Sequence, residues 1–314
     1  WNHRMSATPP IHSWHGRRTL GTGGAGFIGS HLVDRLLVEG CARVAVVDNF
    51  FLGKEKNLDS ALSGVHRDAL VVHREDAADA DAMRDIFARE RPEVVFNLAT
   101  KALLYSFRNP AGACRVNLDV ALTLAELQRA GAFQKLVHVS SSEVYGTAQR
   151  APMDEDHPLL AETSYAAGKA AADLALAAYV RMFDLDIVTV RPFNNYGPRQ
   201  NDGDLAAVVP LTIRRILAGV PPVVSGDGKQ TRDFIFVKDT VDALLRVASL
   251  SGVRGAIFNL GSGQETAIGE LVQAIARAMS YTGPIGGAPA RVADVRRHVA
   301  GVQRAEAKIG RVAV

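Results

Sequence analysis

Tyr165 and Lys169 stand four residues apart in YAAGK, a spacing that puts both side chains on one face of a helix. A phenol with its ordinary pKa of ~10 is a poor base at neutral pH, and a neighbouring ammonium stabilises the phenolate. A tyrosine equipped in this way can take a proton from an alcohol while hydride leaves the same carbon for a nicotinamide. Alone, such a pair is common on helix surfaces. Ser140, Ser141 and Ser142 change its meaning. They follow the apolar run LVHV, at the carboxyl end of an expected strand, where a hydroxyl can join the same proton transfer.

A second cluster of chemistry lies near the start of the chain. Gly23, Gly26 and Gly29 in TGGAGFIGSHL follow an expected strand and open a helix carrying Leu32, Val33, Leu36 and Leu37 on its apolar face. Glycines at this spacing permit a tight turn and a close approach of pyrophosphate to bare backbone, with helix N-terminal amides stabilising its charge. Asp48 ends the next apolar run, VAVVDN, where a carboxylate accepts hydrogen bonds from the adenosine ribose and repels a 2′-phosphate. Together these favour NAD over NADP. Asp76, after VVH, is either close to the adenine amine or a solvated surface acid.

The elements that must position these groups alternate in type. Short β-branched runs at Thr19–Thr22, Arg43–Val47, Leu70–His73, Val94–Leu98, Leu136–Val139 and Ile187–Val190 predict strands. Helix-length amphipathic stretches, Ser30–Leu37, Ala80–Arg89, Asn117–Ala130 and Ala166–Val180 among them, separate these strands. This is the pattern of an α/β, Rossmann-type doubly wound parallel sheet over residues 17–190, with its ligand at the carboxyl ends of the strands. Gly21 makes the first strand the weakest member. Residues 191–314 read as a smaller substrate-binding lobe that exchanges segments with the first, with helices at Val209–Ala218, Thr240–Ser249 and Ala267–Met279 and a strand at Asp233–Val237. Residues 1–16 read as a tail.

Over about residues 17–299 the chain resembles the nucleotide-sugar epimerase and dehydratase family, the extended short-chain dehydrogenases. TGGAGFIGSHL, VVDNF, SSSEVYG, YAAGK, RPFNNYGPRQ and GDGKQTRDFIFVKD occur in family order. The resemblance implies that Ser141 is the catalytic hydroxyl, Tyr165 the base, and Lys169 the residue that binds nicotinamide ribose and tunes Tyr165. It further implies that Phe27, Ile28, Asn49, Ala99, Asn117 and Pro192 line the NAD site beside the glycines, Asp48 and Asp76. Lys101, Asn194, Arg199, Arg232 and Arg291 match positions that hold the sugar and the nucleotide diphosphate. Arginine suits a diphosphate because its donors are charged and bidentate. Arg232 can alternatively pair with Asp233. Two departures stand out: Asn97 occupies a position where histidine is usual, and the loop carrying Lys101 is one residue short.

Family members oxidise carbon 4 of the sugar and differ in the fate of the resulting ketone. A 4-epimerase needs no second base, whereas Glu143 and Ser142 occupy positions used for further chemistry in the lyases. Glu143 points away from plain epimerisation, and a serine rather than an acid at 142 favours loss of carbon dioxide over loss of water. The expected reaction is therefore that of a UDP-glucuronate decarboxylase. An NDP-hexose 4,6-dehydratase, a 4-epimerase and, more remotely, a non-catalytic NAD-binding protein are the alternatives.

Composition sets the outer bounds. The 314 residues carry 36 basic and 33 acidic side chains, a net charge of +3 that gives no argument for a nucleic-acid partner. Hydrophobic residues make up 47% without any run long enough to span a membrane. Cys41 and Cys114 lack metal-ligand spacing, so no metal is expected and the setting reads as a reducing, cytoplasmic one. The long helices at 117–130 and 166–180 are apolar on more than one face and suit a homodimer, which is also what the resemblance implies.

Overall fold

A computed structural model describes residues 11–290 and 295–313. Seven strands form one parallel sheet: β1 (Arg18–Thr22), β2 (Arg43–Val47), β3 (Leu70–His73), β4 (Val94–Asn97), β5 (Lys135–Val139), β6 (Asp186–Pro192) and a seventh, Ile257–Leu260. From one edge the order is the seventh strand, β6, β5, β4, β1, β2, β3, so the winding reverses at β1. That reversal opens a crevice above the carboxyl ends of β1 and β4.

Both faces are covered, as a parallel sheet requires. Val44, Val46, Phe96, Val137 and Val188 point to one face. There they pack with Leu32 and Leu36 of α1 (Phe27–Val38), and with Val241 and Leu244 of a helix at Val237–Ser249. Leu20, Ala45, Val47, Val95, Leu136 and Ile187 point to the other. They meet Met83, Ile86 and Phe87 of a helix at Ala80–Glu90, Val120 and Leu124 of a helix at Pro110–Arg129, and Leu176 of a helix at Ser164–Phe183. The alternation within each strand is the period-two signature read across the sheet.

Three expectations need correction. The helix expected from Asn117 begins seven residues earlier, because Asn109 caps it (its side chain accepts from Gly112 N at 2.9 Å) and Pro110 supplies its first turn. The helix expected from Ala166 begins at Ser164, capped by Thr163, which places Tyr165 in its first turn. Third, residues 11–16 are not a free tail. Ile11 and Trp14 are buried in the core, the Trp14 ring lies 5.9 Å from that of Phe96, and Ile11 N donates to Ser249 O at 3.0 Å. The weak-looking β1 is nevertheless complete: Gly21 sits between Val46 and Phe96, so backbone pairing on both sides compensates for the absent side chain.

The seventh strand was not expected from the sequence; it is the point where the second lobe re-enters the sheet, paired with β6 through Thr189, Val190, Arg191 and Pro192. Between β6 and this strand, Asn194–Tyr196 pairs with Phe234–Phe236. Farther out, the helices Val208–Leu217 and Ile268–Ala278 pack on each other beside the pairing of Val223–Ser225 with Gly286–Ala288. Trp14→Ala removes a large core side chain and should cost about 3–5 kcal/mol of stability, read from the urea midpoint of unfolding. A change of a few tenths of a kcal/mol would mean that this segment does not dock in solution.

Candidate functional site

The glycine turn leaves β1 at Thr22, and each glycine there is enforced by its surroundings. Gly23 has φ +70°, and a Cβ on it would lie 2.8 Å from Ala99 N. A Cβ on Gly29 would lie 2.2 Å from Gly23 O, inside any contact distance. Gly26 is the N-cap of α1 and offers no side-chain cap, so the first-turn amides at Phe27, Ile28 and Gly29 face the crevice without a competing acceptor. Asn57 steadies the turn by donating to Ala25 O at 2.9 Å. Bare backbone with uncapped amides at a switch point fits a dinucleotide pyrophosphate.

Asp48 ends β2 at the same level. It is 7% exposed, and its two oxygens accept from Ala25 N at 2.9 Å and Phe50 N at 2.8 Å, which orients the carboxylate. Burial pushes its pKa up, and these two amide bonds act against that. Asn49 donates to Asp76 at 3.0 Å, joining the loops after β2 and β3 into one wall. Gly23, Gly26, Phe27, Ile28, Gly29, Asp48, Asn49, Asp76, Ala99 and Pro192 all line the cleft, together with Tyr165 and Lys169.

At the other end of the cleft lie Ser141, at the carboxyl end of β5, and Tyr165 and Lys169 on the helix Ser164–Phe183. Tyr165 lines the cleft with Ser141 and with Thr100, a residue that follows β4. Burial raises the phenol's pKa, the nearby Ser141 and Thr100 hydroxyls lower it, and the carboxylate of Glu143 raises it. Lys169 is 2% exposed and donates to Val139 O at 2.9 Å. Burial pushes this ammonium down to about 8, opposed by the charge of Asp173 one turn along the helix.

Asp173 is itself held in place. Its Oδ2 accepts from Arg191 Nε at 2.9 Å, while Oδ1 lies 3.5 Å from His138 Nε2. Burial works to raise its pKa, but His138 and Arg191 outweigh that and hold it below the usual carboxylate range. The tautomer of His138 is set by its neighbours. Thr22 Oγ1 donates to Asn97 Oδ1 at 2.8 Å, so Asn97 Nδ2 donates to His138 Nδ1 at 3.0 Å and the Nε2–H faces Asp173. Asn97, at a position where histidine is usual, thus serves as a buried link from β1 to β5.

Several expected residues lie elsewhere. Asn117 does not line the cleft: its Oδ1 accepts from Thr100 Oγ1 at 2.8 Å and Lys101 N at 3.4 Å, and its Nδ2 donates to Tyr165 O at 3.3 Å. It ties the loop after β4 to the helix bearing Tyr165. Ser142 and Glu143 are also absent from the cleft lining; they open a short 3-10 turn, and Ser142 O pairs with His298 Nε2 at 3.0 Å. Lys101 and Arg199 do line it, Lys101 with its ammonium 3.3 Å from the Phe51 ring centroid and Arg199 paired to Asp34 at 2.7 Å. Asn194 lies beyond the lining with Nδ2 buried and unpartnered among the described residues. Arg232, expected at the substrate, is not in the cleft lining and donates to Val295 O at 2.6 Å; the alternative pairing with Asp233 is not what holds that acid, which accepts from Ser262 and Gly263. Arg291 lies outside the described residues.

Thr100 is the residue the sequence reading missed. The rule that singled out Ser141, a hydroxyl at the carboxyl end of a central strand, applies to it equally. Among the described residues no cluster of His, Cys, Asp or Glu has the form of a metal site, and no helix is long and apolar enough to cross a membrane. Gly29→Ala should abolish dinucleotide binding, measured by calorimetric titration with NAD, because no side-chain rotation relieves a backbone clash. Retained affinity would mean that the turn does not hold the pyrophosphate.

The family profile described as NAD dependent epimerase/dehydratase matches residues 20–261. The UDP-glucose 4-epimerase of Mycolicibacterium smegmatis is 40% identical over 282 residues, covering 89% of this chain and 88% of its own length. A UDP-N-acetyl-alpha-D-glucosaminuronate decarboxylase of Bacillus cytotoxicus is 34% identical, covering 82% and 79%. The crystal structure of a Thermotoga maritima UDP-glucose 4-epimerase with UDP-glucose superposes with a TM-score of 0.87 at 31% identity, covering 94% of this chain and 93% of that one. With a glycine turn at the switch point, an oriented acid after β2 and a Tyr-Lys pair lining the same cleft as Ser141, the chain belongs to the NAD-dependent epimerase/dehydratase family and is an NAD-dependent enzyme that acts on nucleotide-sugars.

Proposed function

We propose that this enzyme is a 4-epimerase of a UDP-sugar. The observation that carries the reading is the composition of the reactive end of the cleft: Ser141, Tyr165 and Lys169 line it, whereas Ser142 and Glu143 do not. Those three groups suffice to remove a proton from the 4-hydroxyl and to return it. Tyr165 accepts the proton, Ser141 bridges between that oxygen and the sugar hydroxyl, and Lys169 remains an ammonium that favours the phenolate. NAD, held by the glycine turn and Asp48, would supply the reversible hydride acceptor for carbon 4. The guanidinium of Arg199 at the cleft is the group we assign to the diphosphate. Exposed Leu174 and Met182 on the helix Ser164–Phe183 suit packing against a second copy, as a homodimer would require.

A decarboxylase is the second reading. Two observations favour it: the charge of Glu143 is felt at the Tyr165 oxygen, and a decarboxylase is among the relatives. Incubation with UDP-glucose, UDP-N-acetylglucosamine, UDP-glucuronate and dTDP-glucose separates the possibilities by product mass. A new isomer of unchanged mass supports epimerisation. Loss of carbon dioxide supports the decarboxylase, and loss of water a dehydratase.

Two further outcomes are expected. Tyr165→Phe should lower turnover on the order of 10²–10⁴-fold while NAD affinity stays within a factor of a few, because only the proton acceptor is removed. Full activity in that variant would overturn the assigned base. Turnover should also fall as pH rises through about 8. Lys169 is charged below that value and neutral above it, and a neutral amine no longer stabilises the phenolate. A pH profile that stays flat up to the ordinary lysine value of ~10.4 would refute this role.

A further inference from the structure

We propose that Gly168, inside YAAGK, is a positioning residue for the reaction: it lets the helix Ser164–Phe183 touch the backbone of the helix Pro110–Arg129 and so sets where Tyr165 and Lys169 stand in the cleft. The inference rests on Tyr165 being the base.

By local criteria Gly168 is out of place. The helix Ser164–Phe183 uses alanine at eight positions, and alanine is the better helix former, yet its one glycine falls between the two reactive side chains. Backbone freedom does not explain it. Gly168 is buried in the second turn of a regular helix and has none of the left-handed φ values that favour glycine. What requires it is space. A Cβ on Gly168 would lie 2.6 Å from Cys114 O and 2.8 Å from Cys114 Cα, both backbone atoms of the helix Pro110–Arg129, so no side-chain rotation can make room.

The two helices are tied again one turn along the same seam. Asn117, three residues after Cys114, donates through Nδ2 to the backbone oxygen of Tyr165 at 3.3 Å, and Tyr165 stands three residues before Gly168. One contact is set by the absence of a side chain, the next by a hydrogen bond. Toward the sheet, Lys169 Nζ donates to Val139 O at 2.9 Å, at the end of β5. The groups that Tyr165 must work with are carried by other elements: Ser141 follows β5, and the loop with Thr100 and Lys101 is tied through Asn117 Oδ1 to the helix Pro110–Arg129. Moving the helix Ser164–Phe183 off its neighbour therefore shifts the Tyr165–Lys169 pair as a unit relative to both. Proton transfer tolerates little such displacement.

Gly168→Ala is the test, because the added methyl must push the two helices apart by about half an ångström. Its kcat should fall by about 10–100-fold while KM and the affinity for NAD stay within a factor of about three, since the glycine turn and Asp48 lie on other elements. A lower urea midpoint with kcat per folded molecule unchanged would make Gly168 a packing residue only and overturn the proposal. Should the alanine variant not fold, Asn117→Ala loosens the same seam one turn away without adding bulk. It should show the same split between kcat and KM, and a wild-type kcat there also overturns the proposal. A crystal structure of Gly168→Ala needs no sugar: the helices should stand farther apart at residues 114 and 168 with the Tyr165 hydroxyl displaced, and unchanged spacing refutes the role whatever the reaction. Displaced helices and a slow Gly168→Ala beside a fully active Tyr165→Phe would count against the base and leave Gly168 in its role.

Discussion

A buried ammonium is the constraint around which the reactive half of this molecule is organised. Lys169 cannot keep its proton in a dry interior unless an anion stands near it, and the anion provided, Asp173, is itself buried. Asp173 in turn requires Arg191 on one oxygen and His138 facing the other. Arg191 continues outward to the Tyr145 hydroxyl at 2.9 Å, which donates to Asn259 on the seventh strand at 2.7 Å. Charges in this cluster sum to one positive unit from Lys169 and Arg191 against Asp173.

The same line of polar groups explains why the sheet holds one register. From Thr22 to Asn97 to His138 each hydrogen bond crosses from one strand to the next, and each partner has a single consistent donor and acceptor role. Slipping β4 or β5 by one residue would turn these groups to the opposite face and bury them unpaired among valines and leucines. Stability and reactivity are therefore coupled through the same residues. The glycine turn and Asp48 meet the other half of the cleft with different physics: backbone packing and amide-held orientation.

Most of the architecture could be read from the chain because its signals are local. Six strands, the glycine turn, Asp48 and the Tyr165–Lys169 spacing each depend on a few adjacent residues, and each lies where the sequence analysis put it. What could not be read depends on partners far away in sequence. Ile257–Leu260 is a four-residue apolar run in a Gly-rich stretch, identifiable as a sheet member only once β6 is beside it. Trp14 looks like part of a tail until Phe96 is brought to it. Asn117 was assigned to the cofactor by resemblance, yet its amide ties the loop after β4 to the helix bearing Tyr165, a link between residues far apart in sequence.

The position of the seventh strand also bears on how the molecule comes into being. The sheet edge at β6 stays open until residue 260 has left the ribosome, although β6 itself is complete at residue 192. Nearly seventy residues of chain must be made in the interval, and the loop they form has to close before the edge is protected. During that interval an exposed, apolar parallel strand offers its unpaired edge to other chains, a hazard the finished sheet no longer carries at β6.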